Sequence, residues 1–182
     1  MKYLLIVLVI AMVISPLLWL RQTPGQARIT AFRNRALQLG LKVQMVPHAD
    51  AEETERRPET VRYLKSPAPD DKGILPVIEP FWTLVRAERR GRESPFPGWR
   101  WHRSEAPAAI HPAIGQCLAE LPASVTALRL DGQGVSAYWE ETGRVEDVAR
   151  IETALTALLA SMRAPEPIRL GRNGAAVSPR VS

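Results

Sequence analysis

The stretch from Val125 to Met162 reads VTALRLDGQGVSAYWEETGRVEDVARIETALTALLASM, and its two periodicities decide the fold. Val125 to Leu130 and Val135 to Glu140 alternate as strands, and Asp131-Gly132-Gln133-Gly134 between them offers two glycines for positive φ in a tight connection. A β-hairpin is expected. Thr142-Gly143 then leads into Arg144 to Met162, where Val148, Ile151, Leu155, Leu158, Leu159 and Met162 recur at helical spacing and form the longest apolar stripe outside the N-terminal run. Glu146 and Asp147 in the first turn and Arg163 at the end complement the helix dipole. A hairpin followed at once by an amphipathic helix points to α+β.

Working towards the N-terminus, Ile114, Cys117, Leu118 and Leu121 share one face of a helix expected from Pro112 to Leu121. Before it lies RRGRESPFPGWRWHR, Arg89 to Arg103, the most unusual segment of the chain. One reading makes Arg89, Arg90, Arg92, Trp99, Arg100, Trp101 and Arg103 a surface for an anionic partner, with guanidinium groups on phosphates and flat rings on bases or among lipid headgroups. The other turns Trp99 and Trp101 inward from a strand and leaves Arg100 and His102 facing water. Further strands are expected at Phe81 to Glu88, Ile74 to Ile78, Val61 to Lys65 and Leu41 to Val46, with Pro76 and Pro80 confining the second to an edge. His48 to Thr60 is too polar to fold on itself and reads as a solvated loop.

Thr23, Pro24 and Gln26 suit the N-cap, first and third positions of a helix running to Leu39, and Gly40 supplies its left-handed cap. Ile29, Phe32, Ala36 and Leu39 share a face flanked by Arg28 and Arg35. Such a helix can lie in a membrane interface or pack on the domain.

Ahead of it, Tyr3 to Leu20 is eighteen residues without a formal charge, long enough as a helix to match a bilayer core of about 30 Å. It reads as a transmembrane anchor, with Tyr3 and Trp19 at the two headgroup layers and Leu17 and Arg21 setting depth. Lys2 alone precedes the run, whereas Arg21, Arg28, Arg33, Arg35 and Lys42 follow it, so the basic bias holds the domain on the cytoplasmic side. The competing reading is a signal peptide cleaved after Ala27, which would release a periplasmic or secreted domain. The boundaries expected are 1–22 for the anchor, 23–40 for the basic amphipathic helix, 41–164 for one α+β domain with a largely antiparallel sheet and about three helices, and 165–182 for a disordered tail.

The chain of 182 residues carries a net charge of +5, unevenly placed. Six arginines stand against Glu88 and Glu93 between Arg86 and Arg103, whereas six acids stand against Arg144 and Arg150 between Asp131 and Glu152. A basic surface near a membrane is drawn to anionic lipid. The single cysteine, Cys117, fits a reducing compartment better than a disulfide framework. His48, His102, His111 and Cys117 have no metal-ligand spacing, and no GxSxG, phosphate loop or dinucleotide fingerprint is present, so no metal, cofactor or catalytic residue is expected. Glu140 and Glu141 would point to opposite faces of a strand and cannot act as a carboxylate pair. An enzyme with an unrecognised site is the remaining alternative.

The layout of Met1 to Val46, a short N-terminus, one apolar run, a Pro-Gly hinge and a basic amphipathic helix, resembles small single-pass inner-membrane proteins of Gram-negative bacteria, among them accessory subunits of protein translocases. The resemblance rests on arrangement and assigns no functional residue; after Val46 the chain departs from those subunits and looks like uncharacterised proteins of the same bacteria. It implies a single-pass protein of the inner membrane that binds membrane lipid and a protein partner as a non-enzymatic scaffold, with nucleic acid not expected.

Overall fold

The computed structural model describes Tyr3, residues 24–52, Glu55, and residues 58–68, 81–86 and 90–162. In chain order these hold α1 (Pro24–Gln38), β1 (Lys42–Val46), β2 (Thr60–Lys65), β3 (Trp82–Val85), β4 (Arg92–Glu93), β5 (Arg100–Trp101), a short 3-10 turn (Ala108–Ile110), α2 (His111–Glu120), β6 (Val125–Asp131), β7 (Gly134–Trp139) and α3 (Glu146–Ser161). The seven strands among the described residues make one sheet in the order β1-β2-β7-β6-β3-β5-β4, and every pairing in it is antiparallel. Three helices and an antiparallel sheet give an α+β fold. Among the described residues no helix is long and apolar enough to cross a membrane; the expected anchor and tail, apart from Tyr3, lie outside those residues.

Alternation along the strands sorts the side chains onto two faces. Val61 and Tyr63 of β2, Val135, Ala137 and Trp139 of β7, Leu128 and Leu130 of β6, and Trp82 and Leu84 of β3 join one core with Phe32 and Ala36 of α1, Ile114 and Cys117 of α2 and the apolar stripe of α3. All three helices therefore cover one face of the sheet. Of the two fates open to α1, packing on the domain is the one observed, with the Phe32 and Trp139 ring centroids 5.1 Å apart. Its end is a Schellman turn: Leu41 N–H reaches the Ala36 carbonyl at 2.9 Å and Gly40 N–H the Leu37 carbonyl at 3.0 Å. Gly40, at φ 73°, permits it.

The opposite face carries a smaller cluster of Val85, Ala127 and Tyr138, covered by Val46 and Ala49. Arg90 fastens this cover. Its guanidinium donates twice to the Glu55 carboxylate, at 2.7 and 3.1 Å, and once to the Asp50 carbonyl at 3.3 Å.

Two expectations change. The connection at 131–134 is tighter than four residues, because Asp131 pairs with Gly134 and leaves Gly132 and Gln133 as the turn. The Asp131 side chain causes this by accepting the Gln133 N–H at 2.9 Å. Only the second glycine has positive φ, 135° at Gly134, where a Cβ would strike the Lys65 carbonyl oxygen of β2. The strand expected from Phe81 to Glu88 is Trp82–Val85, and the piece at Ile74 to Ile78 lies outside the described residues.

Candidate functional site: a basic cleft on the open face of the sheet

The arginine-rich segment folds as the small β4–β5 hairpin, tied by Ser94 Oγ donating to the Trp99 carbonyl at 2.6 Å. Trp99 and Trp101 are only 7% and 2% exposed and belong to the core, so the inward orientation of the two rings is the observed one. Trp101 stands edge-on to Trp82 at 6.0 Å and Phe96 at 6.1 Å. Arg86 lies over the Trp99 ring at 4.8 Å.

The arginines around these rings are mostly committed within the chain. Arg90 is held by Glu55, Arg92 is 3.3 Å from Glu105, and Arg100 Nε donates to the Gly91 carbonyl at 3.0 Å. Arg103 is exposed and sits at φ 67°. Arg89, Leu17, Trp19 and Arg21 lie outside the described residues, and Tyr3 is 84% exposed.

Other polar side chains converge on the open face. The register sets Arg62 of β2 beside Tyr138 of β7, and Thr83 of β3 beside Arg129 of β6. His102 follows β5, its N–H on the Thr83 carbonyl at 2.8 Å. Together with Arg103 and the 47–51 segment they line a cleft of about 350 Å³. Arg62 Nη2 donates to Asp131 Oδ2 at 2.7 Å, and Arg129 Nε lies 3.4 Å from the same oxygen. One carboxylate thus serves two guanidinium groups. Burial pushes the His102 imidazole below its ordinary range, and Arg103 and Arg90 add to this while Asp50 and Glu52 oppose it. His102 is therefore neutral at pH 7.

A second polar constellation lies under α1. Glu141 is 6% exposed, and its carboxylate accepts Arg33 Nε and Nη2, each at 3.0 Å, and the Tyr63 hydroxyl at 2.8 Å. Glu141 adopts φ 53°, which turns its side chain off the strand path and under the helix. It is a structural clamp: the donors surround both oxygens. Burial and the neighbouring carboxylate push the Tyr63 phenol well above its ordinary value.

The remaining chemistry-bearing residues are also placed. His111 Nε2 lies 3.1 Å from the Ala106 carbonyl, and its ring stacks against Trp101 at 5.8 Å. Cys117 is buried in the core, and burial pushes its thiol up to about 12. In the folded protein it should resist a thiol reagent at pH 8 for as long as the domain stays closed and react at once in denaturant, as followed by mass spectrometry. Ready labelling of the native protein would place Cys117 elsewhere. The linkage follows in sign: the unfolded thiol ionises above about pH 9 while the buried one stays protonated, so stability falls from there up to pH 12, and Cys117→Ala removes that share of the alkaline loss.

Neither Arg62 nor Arg129 stands out in the sequence, since each is a lone charge between apolar neighbours on a strand. That pattern was the available signal: Val61-Arg62-Tyr63 and Leu128-Arg129-Leu130 turn the arginines to the face the helices leave open. No protein-family model, curated protein or solved structure matches the chain.

Proposed function

We propose that this chain is a non-enzymatic, membrane-anchored binding or scaffold protein whose folded domain sits at the cytoplasmic face of the inner membrane and contacts an anionic lipid or a protein partner there. The observation that carries the reading is the basic cleft, lined by Arg62, Arg103 and Arg129, of which Arg62 and Arg129 share the one carboxylate of Asp131. The surplus positive charge is suited to an acidic group. The uncharged run Tyr3 to Leu20 supplies the anchor, and the bias of Arg21, Arg28, Arg33 and Arg35 after it supplies the orientation. Because Arg90, Arg92 and Arg100 hold the hairpin and its cover together, Arg103 is the member of the expected arginine surface best placed to meet a partner.

A reporter fused behind Ser182 should be active inside the cell, and the chain should stay with membranes washed in alkaline carbonate. Activity only outside the cytoplasm, or release by carbonate, would refute the placement. The convergence of Arg62, His102 and Arg129 also favours a second reading, an enzyme in which the neutral His102 accepts a proton from a water attacking an anionic ester. Turnover of a small phosphate or carboxylate ester, lost in His102→Gln, would select it.

A further inference from the structure

We propose that the cleft on the open face is an oxyanion site, built to take a phosphate or carboxylate group on donors from Arg62, His102 and Arg103. The proposal deepens the binding-domain reading and rests on it.

Arg62 carries the argument. Its residue is 7% exposed, yet Nε is buried with no hydrogen-bond partner, and so is Nε2 of His102. Both residues line the same cleft; a third orphan, Trp82 Nε1, belongs to a ring of the core cluster. Buried nitrogens are ordinarily bonded, and orphans on two polar residues of one cleft mark a place where an acceptor belongs. An arginine kept only for its pair with Asp131 needs no second arginine on that carboxylate. Here Arg129 shares it, and Asp131 Oδ1 is further occupied by the Gln133 N–H of the turn. The site therefore keeps a positive surplus with unspent donors.

The surrounding residues select the ligand class. A cation is disfavoured by the arginines, and an apolar group would leave the orphan nitrogens unmet. A planar or tetrahedral oxyanion accepts from Arg62 Nε and, with the proton on its Nε2 tautomer, from a neutral His102. Arg103 lines the same cleft and adopts φ 67°. The wall formed by the 47–51 segment is not loose, because Arg90 straps Asp50 and Glu55 against the sheet. Asp50 and Glu52 are the acids whose charge acts on His102; Asp50 is already within 4.0 Å of Arg90. At about 350 Å³ the cleft fits a phosphate or a small organic acid and not a folded polymer.

The full chain in detergent micelles is titrated calorimetrically with inorganic phosphate and with acetate, with sodium chloride at matched ionic strength as the control. Saturable one-to-one binding of phosphate or acetate supports the site, provided that Arg103→Gln and His102→Gln each weaken it about tenfold, the loss of one charge-assisted hydrogen bond. Arg62→Lys keeps the charge on Asp131 but has no Nε–H; it should weaken binding by a similar factor without lowering Tm. No saturable heat, an effect reproduced by chloride, or full affinity in all three variants would overturn the proposal. Vesicles of phosphatidylglycerol and of phosphatidylcholine separate the sources: competition of the former with phosphate assigns a lipid headgroup, and its absence assigns a soluble anion. If phosphate binds but carbonate strips the chain from membranes, the anchoring reading fails and the site stands. If membrane retention holds and no oxyanion binds, the reverse is true.

Discussion

Trp139→Ala should unfold the domain or lower its stability by about 3–5 kcal/mol, the range for removing a large buried aromatic. Trp139 is fully buried at the junction of helices and sheet. Phe32 of α1 tilts against it at 5.1 Å and Tyr63 of β2 stands edge-on at 5.4 Å, so its loss opens a cavity bounded by two other rings. Collapse around the hole is resisted because the backbone of β7 is paired on both sides, to β2 and β6. The indole nitrogen adds a polar loss, since it donates to Ser124 Oγ at 2.7 Å, and the alanine variant leaves that hydroxyl with the Thr142 carbonyl alone. Trp139→Phe keeps most of the ring volume and should cost less than half as much. Urea unfolding followed by circular dichroism measures both. An alanine variant within about 1 kcal/mol of the parent would be incompatible with this packing.

The second large effect belongs to Glu141. Glu141→Ala strips the acceptor from Arg33 and from the Tyr63 hydroxyl together. Breaking a fully buried pair costs about 3–5 kcal/mol, but the Arg33 side chain is 38% exposed and regains water, so about 2–3 kcal/mol is expected. Glu141→Gln keeps an acceptor for Tyr63 and should lose about half of that. Glu141→Gly removes the same bonds yet relieves the φ of 53°, so it should be the more stable of the two truncations by about 1 kcal/mol. That inversion, glycine above alanine, is specific to the strained position. Tyr63 gives the network a pH signature. Its folded-state value is raised, so above about pH 10 the unfolded phenol ionises first and stability falls as pH rises. Tyr63→Phe should flatten that alkaline decline.

Several parts of this structure are legible in the residues alone. The hairpin and α3 are, because their alternations run for six residues or more; α1 is, because Pro24, Gln26 and Gly40 punctuate both ends. The Glu141 clamp is not. Arg33 stands 108 positions from it, and local pattern reasoning places Glu141 on a regular strand, where a positive φ has no sign in the sequence. The arginine-rich segment misleads for a related reason: its charges are conspicuous locally, while Glu55 and Glu105, which engage Arg90 and Arg92, lie outside it. Strands as short as Arg92–Glu93 carry too few residues for any period to register. Arg62 and Arg129 alternate correctly, but the face that three helices would leave uncovered depends on the assembled sheet.

The order of strands has a consequence for biogenesis. β2 has Trp139 as the partner of Val61, so the N-terminal strands must wait for the β6–β7 hairpin to be translated, roughly 4–16 s later at ordinary elongation speeds. During that interval the nascent β1–β2 ribbon offers an unsatisfied edge on the ribosome. A folding-competent state is therefore reached only once Trp139 has been made, and N-terminal fragments that stop short of it are natural clients for chaperones and proteases.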